Sequence, residues 1–353
     1  MADAARGSSW VRVWTRAVVR PAARRFLGTW LGLLVVSAVI FGPTAMQPKD
    51  LTGLALHDPE VGVALGVTWI LLFLPTARVL LRAESGRFLR SLPHARGAIL
   101  GIGLAALAGL QLPWIALWWF GEGPLGLGIV AITTLPIATL AVIHAPAFAP
   151  RFPHWRSDWA ALRGIYFRAV RRRAGDAMVR AVGFAVLAGV ATGLLVRNNE
   201  LAGAEAATLG ASVIALLLVP AQAGMLMVLT EAHRQTEWLA ATTGVDRGTR
   251  VAALATVIAG IDLVTTGIAL GVEGVAFGAN GPLVATALGL ALATALGTTR
   301  AVVVAAPTPS ASARVVVGAI SIAAVSVISI GLFGIPGVLA ALAIAMFWVL
   351  RCF

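Results

Sequence analysis

The sequence predicts an all-α polytopic membrane protein of about ten transmembrane helices, and three observations carry that prediction. First, of 353 residues 59% are hydrophobic and only 12% are charged, with a mean hydropathy of +0.90. A soluble domain carries about twice that share of charge, and a water-soluble fold of this length cannot hide so much apolar surface. Second, the apolar residues gather into stretches of about 20, the length that crosses a bilayer. Third, the basic residues fall almost wholly in alternate gaps between those stretches. The composition excludes a disordered chain, and the single Cys352 excludes a disulfide scaffold.

Spans are expected near 27–46, 61–81, 98–120, 126–148, 178–196, 207–230, 251–271, 283–299, 315–333 and 337–350. Six Arg precede the first, and no A-x-A site follows it, so it reads as a retained helix and not as a cleaved signal peptide. With the N-terminus inside, inner segments hold 24 basic residues and outer segments two, Lys49 and Arg197, while Arg78 lies at the inner end of span two. That asymmetry is the positive-inside pattern of a bacterial cytoplasmic membrane protein, and it puts both termini in the cytoplasm. The outer gaps are short, and the longest, 47–60, is too small for a binding domain.

The chain also repeats itself. Residues 14–20 read WTRAVVR and 166–172 read YFRAVRR, and Glu84-x-x-Arg87 and Glu231-x-x-Arg234 each follow the second span of their half. Two parallel four-span repeats, 27–148 and 178–299, follow basic segments 1–26 and 149–177. A linker, 300–314, then leads to a two-span hairpin, 315–353. In 9–26, Trp10, Val11, Trp14, Val18 and Phe26 oppose a stripe of Arg12, Arg16, Arg20 and Arg24; 152–173 carries Trp155, Trp159, Tyr166 and Arg163, Arg168, Arg171, Arg172 and Arg173. Both read as amphipathic helices on the inner leaflet.

Candidate chemistry is sparse. With Lys49 the only lysine and no G-x-x-x-x-G-K-[ST], the chain has no nucleotide-binding loop of its own. H-E-x-x-H and G-x-S-x-G are missing, and no two His have metal-ligand spacing, so no enzyme and no metal site is expected. Charged groups inside the membrane are functional candidates. Asp262 in span seven is the clear one; Gln111 and Gln222 within apolar runs and His144 towards the inner end of span four are further intramembrane polar candidates.

The gap after span two is the most informative stretch. Glu84 and Arg87 can pair at i,i+3 on a short helix whose tip carries Phe88, Leu89 and Leu92; Pro93 stops it and Arg96 opens span three. The second half offers Glu231, Arg234, then Trp238 and Leu239 as an apolar tip, Gly244 as a break, and Arg247. A short helix with an apolar tip and charged flanks suits docking into a groove of a soluble partner.

The pattern E-x-G-x-x-L-x-S-L-P-x-x-R over Glu84–Arg96 resembles the permease subunits of ATP-binding-cassette exporters of the type-2 kind, where it forms the coupling helix. The helix before span one looks like that family's elbow helix. Ten spans exceed the family's usual six, as in an internally duplicated relative. The resemblance implies a transporter subunit without a cofactor of its own. ATP would act through a cytoplasmic ATPase docked on Glu84, Arg87, Phe88, Leu89, Leu92 and Arg96, and on Glu231, Arg234, Trp238, Leu239 and Arg247. It also implies a homo- or heterodimer of permease subunits, surrounded by lipid and without nucleic acid. The apolar bundle leans towards a hydrophobic or amphipathic cargo. Two other classes fit the composition: a proton- or ion-coupled carrier using Asp262, and a membrane scaffold that transports nothing.

Overall fold

The computed structural model describes residues 12–42, 46–82, 95–143, 157–278, 280–306 and 311–352, and among these the elements are helices with no strand. Seven stretches are long and apolar enough to cross a membrane: Pro59–Arg82, Leu112–Val142, Gly175–Asn198, Gly203–Ala221, Arg247–Phe277, Gly281–Ala305 and Ala313–Phe333. Gly101–Leu110 and Pro336–Leu350 are shorter apolar helices. The chain divides into two compact units, Met1–Ala147 and Phe148–Phe353.

In the first unit a π-helical turn, Thr15–Val19, runs straight into α1, Arg20–Phe41. Within the expected amphipathic helix over 9–26, the described residues 12–26 are helical and continuous with α1, and 9–11 lie outside the described residues. Trp14, Val18, Ala22 and Phe26, four residues apart, form one buried stripe, while Arg12, Arg16, Arg20 and Arg24 are exposed on the other side. Pro21, the second residue of α1, has no N–H to donate to the helical turn before it, at the junction with the π-helical turn. The 47–60 segment contains a helix, α2, Pro48–His57, whose start is closed by Gln47 N–H donating to Asp50 at 2.8 Å.

Helix α3, Pro59–Arg82, packs on α1 and α2. The predicted span 98–120 is broken at Gln111 into α4, Ala95–Leu110, and α5, Leu112–Glu122. Pro113, in the first turn of α5, has no N–H to continue the ladder and its ring crowds the carbonyl one turn back. A 3₁₀ turn, Gly123–Leu125, leads to α6, Gly126–Val142, with Gly123 in a positive-φ conformation (+59°) that favours glycine. Trp114 Nε1 donates to Thr133 Oγ1 at 3.0 Å, a pair 19 residues apart that one straight helix would hold about 28 Å apart. Leu112–Val142 is thus a folded-back pair and not one rod.

The second unit opens with α7, Asp158–Arg173, capped by Ser157 Oγ accepting from Ala160 N–H. Ala174 leaves helical geometry (φ −118°, ψ 20°), so α7 is separate from α8, Gly175–Asn198. The predicted span 207–230 is likewise broken, at Gln222, into α9, Gly203–Ala221, and α10, Ala223–Thr243; Pro220 sits in the last turn of α9. Gly244 ends α10 in the left-handed region (φ 70°). Asp246 then caps α11, Arg247–Phe277, by accepting from Thr249 N–H at 2.9 Å. Helix α12, Gly281–Ala305, and the hairpin of α13, Ala311–Phe333, and α14, Pro336–Leu350, complete the chain.

Small residues set the close packing in this unit. A side chain at Gly189 would strike the Ala269 carbonyl, and one at Gly193 would enter the Phe277 ring, so the G-x-x-x-G face of α8 meets α11 backbone to backbone. Gly297 and Gly289 of α12 admit Ile322 and Val338 of the hairpin in the same way.

Candidate functional site

The polar groups of the first unit brace it. Gln111, only 1% exposed, accepts from Trp69 Nε1 at 3.1 Å and from Thr134 Oγ1 at 3.2 Å, tying α3 and α6 to the break between α4 and α5. Around it run stacked rings: Trp69 and Trp114 lie 4.9 Å apart at 8°, and Phe73 stands edge-on to Phe26 at 4.8 Å. With its carbonyl oxygen doubly bonded and its surroundings aromatic, Gln111 holds helices together. Arg82 donates to the Ala141 and Ile143 carbonyls at 2.9 and 2.7 Å, capping the end of α6. Glu84, Arg87, Phe88, Leu89, Leu92 and His144 lie outside the described residues; Arg96 lies in the first turn of α4, its side chain also outside them.

Asp262 sits near the middle of α11 at 3% exposure, and neither carboxylate oxygen has a hydrogen-bond partner among the described residues. The Gln222 amide is beside it, but its N–H goes to Thr265 Oγ1 at 2.9 Å. The break that frees Gln222 from helix regularity therefore faces the one carboxylate that the sequence marks at mid-span. Both line a cavity of about 10 Å³ with Thr266 and Thr294, room for about one water. A buried carboxylate without donors is costly as an anion. The sequence does not single out Glu273, which α11 carries beyond the predicted edge of span seven; it is 2% exposed, and its Oε2 has no partner among the described residues.

The Arg-rich end of this unit holds a second polar group. Tyr166 of α7 touches His233 Nδ1 at 2.9 Å and Thr236 Oγ1 at 3.2 Å, both on α10. Thr236 Oγ1 donates to the His233 carbonyl at 2.9 Å, and Arg250 of α11 donates to the same carbonyl at 3.2 Å. With Nδ1 protonated, donors run in one circuit from His233 to Tyr166 to Thr236 to the His233 carbonyl. Burial first, then the charges of Arg250 and Arg247, lower the His233 imidazole to about 4, so it is neutral at pH 7. Burial raises the Tyr166 phenol, which stays protonated. Three helices are thereby locked at one point.

Beyond that lock, α10 projects to its Gly244 cap. Arg234 donates to Glu231 at 3.0 Å on the exposed face, which holds the Glu231 carboxyl below its ordinary range. Trp238 is 66% exposed and Leu239 half-buried, one turn before the cap, and Arg247 begins the returning helix. All five second-half docking candidates thus share one helical hairpin. Among the described residues no three His, Cys, Asp or Glu converge as a metal site would require. No protein-family model, no curated protein and no solved structure matches this chain.

Proposed function

We propose that the chain is the membrane-spanning subunit of an ATP-binding-cassette exporter, moving a hydrophobic or amphipathic substrate with energy from a separate cytoplasmic ATPase. The Arg-rich ends then face the cytoplasm of a bacterium, with ten crossings built as two four-span repeats and a hairpin. The observation that carries this reading is the α10–α11 hairpin: an exposed Trp238 on a tip whose base is pinned to α7 and α11 through Tyr166, His233 and Arg250. A tip built this way transmits force, since displacement of α10 is passed to both neighbours.

An interface Trp or Leu anchor is commonly worth about 1–3 kcal/mol, so Trp238→Ala with Leu239→Ala should weaken ATPase association at least about tenfold. Co-purification of the ATPase with this double variant is the test. Unchanged retention, with ATP turnover still coupled to transport, sinks the docking role of this hairpin.

One observation favours a second reading, a proton- or cation-coupled carrier: the buried Asp262 carboxylate without a donor. Asp262→Asn keeps the shape and removes the charge. Under the exporter reading most ATP-driven transport survives this change; under the carrier reading coupled transport is abolished in a folded protein.

A further inference from the structure

The small cavity beside Asp262 is lined by α9, α11 and α12, and its lining decides what fits it. Its volume, about 10 Å³, is the space of one water or one bare ion. No Lys, Arg or His lines it. Nor do the helices around it offer one at this level. Helix α8 carries no basic residue between Arg180 and Arg197, α9 carries none, α10 none before His233, and α12 none before Arg300. The carboxylate therefore meets no cationic side chain, and a buried anion without a counter-charge is strongly disfavoured.

The polar groups at the cavity do not supply that charge. Neither Asp262 oxygen has a hydrogen-bond partner among the described residues. Thr294 Oγ1 commits its one proton to the Leu290 and Ala291 carbonyls, at 3.0 and 2.9 Å, and keeps only lone pairs to offer. Gln222 gives an N–H to Thr265 Oγ1 at 2.9 Å, and its amide is neutral in any case. A water would fill the space and leave the charge. A proton would remove the charge and leave the space. One small cation does both, with lone pairs of the carboxylate and of the Thr294 hydroxyl as its ligands. A divalent ion suits the site less well: one carboxylate leaves it a net charge, and magnesium keeps several waters that this space cannot hold.

We infer that Asp262, Thr266 and Thr294 bind one dehydrated alkali-metal ion, sodium or potassium, between α9, α11 and α12. As a coupling site it rests on the carrier reading and names the kind of ion; as a binding site it is measured without transport.

The full chain, purified in detergent, would be melted in choline, sodium and potassium chloride at equal ionic strength, choline being far too large for the cavity. The ion binds the folded chain alone, so the midpoint should rise saturably by at least about 2 °C in one alkali salt, and the salt that does so identifies the ion. Asp262→Asn should melt at one temperature in all three salts. Thr294→Val keeps the carboxylate and removes one ligand oxygen, so half of the shift should need at least about tenfold more ion. The unaltered chain gives a second readout. Dicyclohexylcarbodiimide, a membrane-soluble reagent, attacks a protonated carboxyl and spares one that holds a metal ion. Peptide mass spectrometry should find Asp262 labelled in choline chloride and at least about fivefold less in the stabilising salt. Equal melting in the three salts, an ion response that survives in folded Asp262→Asn, or equal labelling in all salts overturns the inference. Coupled transport lost in Asp262→Asn, in a chain without any ion response, leaves the carrier reading standing on protons and the site fallen. An ion response in a chain whose transport ignores the ion gradient leaves the site standing and the carrier reading fallen.

Discussion

His233 and Tyr166 were separated by 67 residues in sequence and share a hydrogen bond in the fold, with His233 7% exposed. The folded imidazole protonates only near pH 4, whereas an unfolded one protonates near 6.5. Between those values the unfolded chain binds the extra proton, so stability is full at pH 7 and falls as pH drops; about 2 kcal/mol is lost by pH 5. Thermal melts of the purified chain at pH 7 and pH 5 should show that fall, and His233→Gln should flatten it. Tyr166→Phe removes the hydroxyl that both partners use, at about 1–2 kcal/mol at either pH. None of this was legible beforehand. His233 stands in the polar run Glu231–Glu237, where a histidine reads as solvated, and no periodicity links it to Tyr166. Asp262 was legible because a lone charge in a long apolar run has nowhere else to go. Its missing donor was not, because that depends on where Gln222 points.

At the scale of elements, helix existence follows from apolar runs, and helix continuity does not. The runs 98–120 and 207–230 are apolar enough to read as single spans, yet each breaks at a glutamine two residues from a proline. Hydropathy counts such a proline as a mild residue and overlooks its missing donor. The glycines divide in a way that sequence alone does not reveal. Gly193→Leu must push the Phe277 ring out of the α8–α11 seam, while Gly267→Ala meets open space on the same α11. Gly193→Leu should therefore cost most of the folded yield in fluorescence-detected size exclusion. Gly267→Ala should melt no lower than the parent, and up to about 1 kcal/mol more stable through helix propensity. Equal behaviour of the two variants would contradict the backbone-to-backbone seam.

For the whole molecule, composition alone requires a helical membrane protein, and the seven apolar stretches among the described residues agree with it. The ten-span topology has its own test. After Cys352→Ala, cysteines introduced as Gly53→Cys and Leu201→Cys should react with an impermeant maleimide from outside intact cells. Arg90→Cys and Ala160→Cys should react only after lysis, and labelling of either from outside reverses the orientation.

The length of α11 adds a consequence for the lock at its base. Its 31 residues span about 46 Å, against a hydrocarbon core of about 30 Å. If the helix crosses the membrane with Asp262 centred, about five residues, or one and a half turns, extend beyond the core at the Arg250 end, which would put His233 near headgroup depth. With the proposed orientation, it would sample the surface potential of the cytoplasmic leaflet. At about −30 mV protons are enriched about threefold, a local acidity about half a pH unit below that of the bulk. The acid-induced loss of stability should therefore begin at a higher bulk pH in phosphatidylglycerol liposomes than in neutral detergent. High salt, by collapsing the potential, should bring the two curves together.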